Sequence, residues 1–253
     1  MSGGATPTLL IVMGTSGSGK STVGSALSAA LHCPFVDGDD LHPASNVEKM
    51  SQGHPLNDSD REPWLIKIRQ TGLELATTQA QPQVESADTR KLAEVYETSQ
   101  SQTTPLDHSA AAAVSTTEAK PQAKVKEDGG KKAAKLAIIA CSSLKLVYRR
   151  LLRGTIPSLT HPSALHPEPS SQPSDLRTIH IYLDLSRELL EERMRNRKGH
   201  FMKLDMLYSQ LDTLQVPDPG TEPGVIVVKV KRETSTDDIV SDAVGQLRAL
   251  GVV

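Results

Sequence analysis

GTSGSGKS, Gly14 to Ser21, constrains the fold of this chain more than any other stretch. Its spacing is Gly14-x-x-x-x-Gly19-Lys20-Ser21, the pattern of a loop that wraps nucleotide phosphates. TLLIVMG, Thr8 to Gly14, runs into it as a short apolar segment suited to a buried parallel strand. STVGSALSAALH follows, with Val23, Ala26, Leu27, Ala30 and Leu31 on one helical face. Strand, glycine-rich loop and helix therefore arrive in the order such a loop requires. Gly14, Gly17 and Gly19 let backbone N–H groups turn inward, and Thr15, Ser16, Ser18 and Thr22 complete the cradle. The helix start adds orphan N–H donors and a favourable dipole. Lys20 is placed to neutralise the outer phosphates, and the Ser21 hydroxyl to ligate Mg²⁺.

Charge and cysteine usage narrow the setting. The 253 residues carry a net charge of −2, which gives no footprint for binding nucleic acid or another polyanion. Cys33 and Cys141 lie far apart without metal-type spacing, as suits reduced thiols in a cytoplasmic protein. No apolar stretch reaches membrane-spanning length, and the N-terminal one is too short for a signal-peptide core.

Two stretches read as insertions. Residues 77–135 hold few, widely spaced large apolar residues, too few to offset the entropy of ordering. Residues 154–176 are rich in Pro and Ser and read as loop or disorder, with His161 and His166 as solvated loop residues rather than metal ligands. The rest alternates. Expected strands are Leu9–Met13, Pro34–Asp37, Leu136–Cys141, Thr178–Asp184 and Val225–Val230. Expected helices are Ser21–Leu31, Asp60–Leu75, Leu144–Arg153, Ser186–Arg197, Asp205–Leu214 and Thr236–Leu250. This order predicts an α/β fold with a five-stranded parallel sheet and helices on both faces. Ligands of such sheets bind beyond the carboxyl ends of the strands.

Three further stretches fall just there. VDGDDLHP, Val36 to Pro43, offers carboxylates that either orient an acceptor hydroxyl, hold Mg²⁺ through water, or simply form a turn. ACSSLKLVYRR offers Ser142 and Lys145 at a helix start, as ligand donors or as a plain cap with a solvated lysine. ERMRNRKGHFM sets Arg193 and Arg197 four apart, either closing over phosphates or pairing with Glu188, Glu191 and Glu192.

Taken together, GTSGSGKST, DGDDLHP, NVEKMSQGHPLNDSDREPWL, ACSSLK with YRRLLR, and RKGHF followed by LDMLYSQLDTLQVP resemble the gluconate kinase family, in that family's order. PLNDSDREPWL and KGHF are the specific parts. The resemblance implies one P-loop kinase domain over residues 1–253, similar in fold to shikimate and nucleoside monophosphate kinases. It implies ATP and Mg²⁺ as cofactors and D-gluconate as the small-molecule substrate, phosphorylated at its 6-hydroxyl to feed the pentose phosphate pathway. A homodimer is the assembly such relatives suggest.

By the same resemblance Asp39 is the hydroxyl-orienting residue or general base, and Asp37 assists Mg²⁺ through water. Arg61 is expected to hold the substrate carboxylate, since a guanidinium pairs with it bidentately; the alternative is an ion pair with Asp58 or Glu62. His42, Lys49 and Lys145 are further substrate candidates, Trp64 a core residue, and Arg193 and Arg197 the lid pair facing ATP. A shikimate or nucleotide kinase would not need PLNDSDREPWL and KGHF. A regulatory GTPase would need an Asn-Lys-x-Asp motif, which is absent from the sequence. A silent interaction protein would not need Lys20, Ser21, Asp39 and the lid arginines together.

Overall fold

The computed structural model describes residues 6–78, 135–169, 171–196 and 203–253. Strand β1 (Thr8–Met13) is buried along its whole length, as its unbroken apolar run requires. It lies at the centre of a five-stranded sheet with β2 (Phe35–Asp37), β3 (Leu136–Ala140), β4 (Arg177–Leu185) and β5 (Val225–Val230). The order is β2-β3-β1-β4-β5, and every pairing is parallel. Thr8 stands opposite both Leu136 and Arg177, so the neighbours of β1 start level with it.

The twofold period of β1 divides the core. Leu10 and Val12 face one side, where they meet α1 (Lys20–Leu31), α5 (Arg187–Asn196), α6 (Lys203–Thr213) and α7 (Thr236–Ala249). Leu9, Ile11 and Met13 face the other, against α3 (Asp58–Thr78) and α4 (Leu146–Arg153). Each such fully buried aliphatic side chain contributes about 1.5–3 kcal/mol relative to an exposed one. Gly72 of α3 marks the closest approach on that side, because a Cβ there would lie 2.6 Å from a Leu9 methyl.

The elements match the sequence expectation in order and type, with instructive shifts. Helix α2 (Ala44–Ser51) was not anticipated; its apolar residues Val47 and Met50 are exposed, and Asn46 is the one it buries. Helix α3 starts two residues early because Asn57 and Asp60 cap each other. The Asn57 Oδ1 accepts from the Asp60 N–H at 2.9 Å, and an Asp60 carboxylate oxygen accepts from the Asn57 N–H at 2.8 Å. Helix α4 starts at Leu146, with Lys145 rather than Ser142 or Ser143 in the cap position.

The stretch 154–176, expected as loop or disorder, is tied to the core. It contains a 3₁₀ turn, Pro162–Leu165, whose carbonyls accept from the buried Arg150: Ser163 at 2.9 Å and Ala164 at 3.0 Å. Glu168 reaches Arg153 at 2.6 Å, and Arg153 also meets Glu222 at 3.1 Å. Glu222 closes the cluster on Arg149 at 2.6 Å. The sequence shows Pro and Ser there but not the buried arginines that satisfy the loop's carbonyls. The expected insertion at 77–135 lies, beyond Thr78 and before Lys135, outside the described residues.

Candidate active site

The phosphate loop joins β1 to α1 as expected. Gly17 and Gly19 take φ of 83° and 94°, which L side chains rarely adopt. Gly17 is also crowded, since a Cβ on it would stand 3.1 Å from the Met194 side chain. The Lys20 ammonium donates to the Thr15 carbonyl at 3.0 Å, curling over the loop. Ser18 Oγ is buried and has no hydrogen-bond partner among the described residues, which suits a loop shaped to receive phosphate oxygens. Arg193 of α5 reaches the loop and donates to the Ser18 carbonyl at 3.2 Å. Its expected companion Arg197 lies outside the described residues, as does the KGHF segment. Glu191 and Glu192 pair with Arg187, Arg195 and Arg232 instead, leaving Arg193 to the loop.

Across the sheet edge, β2 ends in Asp37, and a 3₁₀ turn, Gly38–Leu41, carries Asp39 into solvent. Asp37 caps that turn, accepting from the Asp39 N–H at 3.1 Å, and takes a hydrogen bond from Ser21 Oγ at 2.5 Å. A hydroxyl and a carboxylate held together form a hard oxygen donor set that fits Mg²⁺. The buried Cys141 at the end of β3 lies within the fields of both Lys20 and Asp39. Burial pushes its thiol up to about 11, Lys20 pulls it down, and Asp39 lifts it. Ser21 of the phosphate loop and the turn that carries Asp39 are joined through the Asp37 carboxylate.

Beyond Asp39 lies a charged shelf built by α2, α3 and α4. His42 stacks on Trp64 with ring centroids 4.1 Å apart. Burial lowers the His42 pKa, Asp39 opposes that shift and Arg61 reinforces it. Trp64 is buried, as expected, and its indole N–H is bonded to the Gly38 carbonyl. Arg61 donates to the Leu56 carbonyl and forms no salt bridge with Asp58 or Glu62, so the expected alternative of a structural ion pair does not occur.

Lys49 and Lys145, by contrast, are already paired. Lys49 meets Asp60 at 2.6 Å, and Lys145 meets Asp58 at 2.7 Å. The Tyr148 hydroxyl donates to the same Asp58 carboxylate. Burial pushes the Asp58 carboxyl up, but hydrogen bonds from Lys145 and Tyr148 outweigh it and hold the group below the usual aspartate value. Sequence reasoning missed Asp58 and Tyr148, and also Gln210 of α6, whose Oε1 accepts from the Ser16 N–H at 2.6 Å. The NDSD, LVYRR and YSQ strings are the signals that could have flagged them.

A phosphate loop, an acidic turn joined to it through Ser21 and an arginine that reaches it define a P-loop kinase, an enzyme that uses a nucleotide to phosphorylate a small molecule. The shikimate kinase family model matches residues 16–63, the part that holds most of the loop, α1 and the acidic turn. The thermoresistant gluconokinase of Escherichia coli is 32% identical over 88% of this chain and 84% of its own. The gluconokinase of Gluconobacter oxydans is 31% identical over 97% of this chain and 94% of its own. The crystal structure of a gluconokinase from Sinorhizobium meliloti superposes with a TM-score of 0.56 at 29% identity, covering 98% of this chain and 95% of that one. The chain belongs to the gluconokinase family.

Proposed function

We propose that this protein transfers the γ-phosphoryl group of ATP to the 6-hydroxyl of D-gluconate, giving 6-phospho-D-gluconate for the pentose phosphate pathway. The observation that carries this reading is that Asp37 bonds both Ser21 of the phosphate loop and the N–H of Asp39, so a phosphoryl donor and an acceptor hydroxyl would meet beside that carboxylate. Residues Gly14 to Thr22 would cradle the phosphates, with Lys20 and Arg193 neutralising charge on the transferred group. Ser21, and Asp37 through water, would hold Mg²⁺, which when bound neutralises charge on the β- and γ-phosphate oxygens.

Asp39 would orient the 6-hydroxyl and accept its proton as it attacks. Asp39 is exposed, and both it and Arg61 act on His42, so an extended sugar acid lying along the shelf past His42 would present its carboxylate towards α3. There Arg61 forms no salt bridge among the described residues, whereas Lys49 and Lys145 do, which favours Arg61 for binding the substrate carboxylate. Lys145, His42 and Lys49 would then face the hydroxyls or position the acids that do.

Free, buried Cys33 and Cys141 support a cytoplasmic location, and no described helix is long and apolar enough to cross a membrane. We extend the proposal to a homodimer, which sedimentation of the purified chain would test. The decisive experiment is ATP consumption with Mg²⁺ and gluconate, shikimate, AMP or no acceptor. Turnover with gluconate at least tenfold above the others is expected; equal or greater turnover with shikimate or AMP would overturn the assignment.

A further inference from the structure

Helix α4 has a cation where a helix normally has its cap. Lys145 occupies the N-cap position, and its side chain caps nothing. Ser, Thr, Asp and Asn are preferred there because a side-chain oxygen can accept from the first free N–H groups, while the helix dipole disfavours positive charge. The Lys145 ammonium instead turns away to Asp58, at 2.7 and 2.9 Å from its two oxygens, on the acceptor shelf.

The missing cap comes from elsewhere in the chain. Gln215, in the segment after α6, places its Oε1 2.6 Å from the Leu146 N–H, the first helical donor of α4. Its own backbone N–H donates to the Leu144 carbonyl at 2.9 Å. Gln215 therefore grips the backbone on both sides of Lys145. The segment is itself fixed at two ends. Gln210 bonds the Ser16 N–H of the phosphate loop, and Glu222 is paired with the buried Arg149 of α4.

We infer that Gln215 is a positioning residue for the acceptor side: by capping α4 from a distance, it lets the cap position be a lysine and fixes where that lysine's ammonium points. A side chain able to cap, such as Ser or Asp, would accept from the Val147 or Tyr148 N–H, leave the Leu146 N–H to Gln215, and could not reach Asp58 with a positive charge. The inference rests on the proposed role of the shelf in holding gluconate.

The test is steady-state kinetics on the full chain with gluconate varied, with ATP affinity measured separately by calorimetry and unfolding followed by melting. Gln215→Ala is expected to raise KM for gluconate roughly three- to tenfold, the range of a lost helix cap, with ATP affinity unchanged. Gln215→Glu retains an oxygen for the Leu146 N–H, suits the helix dipole, and is expected to restore KM. Lys145→Ala should raise KM for gluconate by itself, and adding Gln215→Ala to it should change KM little further, because both act through one ammonium. If Gln215→Ala lowers only the melting temperature, or weakens ATP as much as gluconate, or Glu fails to restore, the inference is wrong while the kinase assignment stands. If Lys145→Ala leaves KM for gluconate unmoved, the role of Lys145 on the shelf falls and the inference with it. An enzyme without gluconate turnover in any form would reject the parent assignment instead.

Discussion

The indole N–H of Trp64 donates to the carbonyl oxygen of Gly38 across 2.7 Å, joining the core beneath the sheet to the turn that carries Asp39. The ring is buried and its other face stacks on His42, so the acidic turn rests on a rigid support. Trp64→Phe keeps most of the apolar contact but leaves the Gly38 carbonyl without its donor. Denaturant titration should record a loss of about 1–3 kcal/mol, and kcat should fall several-fold as Asp39 loses its fixed position. Gly38→Ala should be worse, because its Cβ would lie 2.3 Å from the Ala140 carbonyl oxygen and no side chain could move to relieve the contact. Wild-type stability in both variants would remove this support from the account.

Arg61 and Asp39 should separate substrate recognition from chemistry. A carboxylate contact far from the reacting hydroxyl is present in ground and transition states alike, so Arg61→Ala should raise KM for gluconate strongly and lower kcat less. Losing a charge-assisted pair corresponds to about 2–4 kcal/mol, or roughly 30- to 1000-fold in kcat/KM. Asp39→Asn should lower kcat with gluconate binding largely kept. If Arg61→Ala leaves KM unmoved, the carboxylate partner must be sought at Lys49, Lys145 or His42.

Lys20→Ala should abolish phosphoryl transfer while the melting temperature stays within a few degrees of wild type. Lys20 is half-buried at the start of α1 and lies in neither apolar core cluster, so its loss is electrostatic rather than structural. Activity within about tenfold of wild type would remove it from the phosphate site.

Acid stability should report on His180. This histidine is fully buried in β4, 3.4 Å from Arg153, and its Nε2 has no hydrogen-bond partner among the described residues. Burial, reinforced by Arg153 and Arg149, holds its pKa well below the ordinary 6.5. The folded chain therefore keeps the ring neutral where the unfolded chain protonates it. Stability should fall as pH drops below about 6.5, with a slope of up to about 1.4 kcal/mol per pH unit from this group. Glu222 adds its share only further down. Burial raises its pKa, but Arg149 and Arg153 outweigh that and hold it below 4.5, so its contribution is lost as pH falls through that lower value. Between pH 5 and 6.5 the slope of unfolding free energy should flatten in His180→Gln. An unchanged slope would mean that the ring is protonated in the folded chain.

Much of this protein could be read along the chain because the relevant physics is local. The phosphate loop is a fixed spacing of glycines before Lys20 and Ser21. The strand before it is an apolar run, and the acidic turn follows directly on β2. Trp64 could be assigned to the core because a sugar acid offers no large apolar face for an indole to stack on. Even the start of α3 was written in Asn57 and Asp60, a reciprocal cap three residues apart, though it was not recognised.

What tertiary structure alone decided was which charges are already spent. Lys145 and Asp58 are separated by 87 residues, and Arg153 and Glu222 by 69, yet each pair sits in hydrogen-bond contact. No spacing rule connects them. The sequence favoured Arg61 over Lys49 and Lys145 only through its guanidinium chemistry, and only packing revealed that the two lysines already hold carboxylates of α3. The same holds for the 154–176 loop, whose polar composition spoke for solvent until Arg150 and Arg153 were found beneath it. Backbone propensity and motif spacing depend on covalent neighbours and survive in one dimension. Charge pairing and desolvation depend on which distant groups the fold buries together, and so exist only in three.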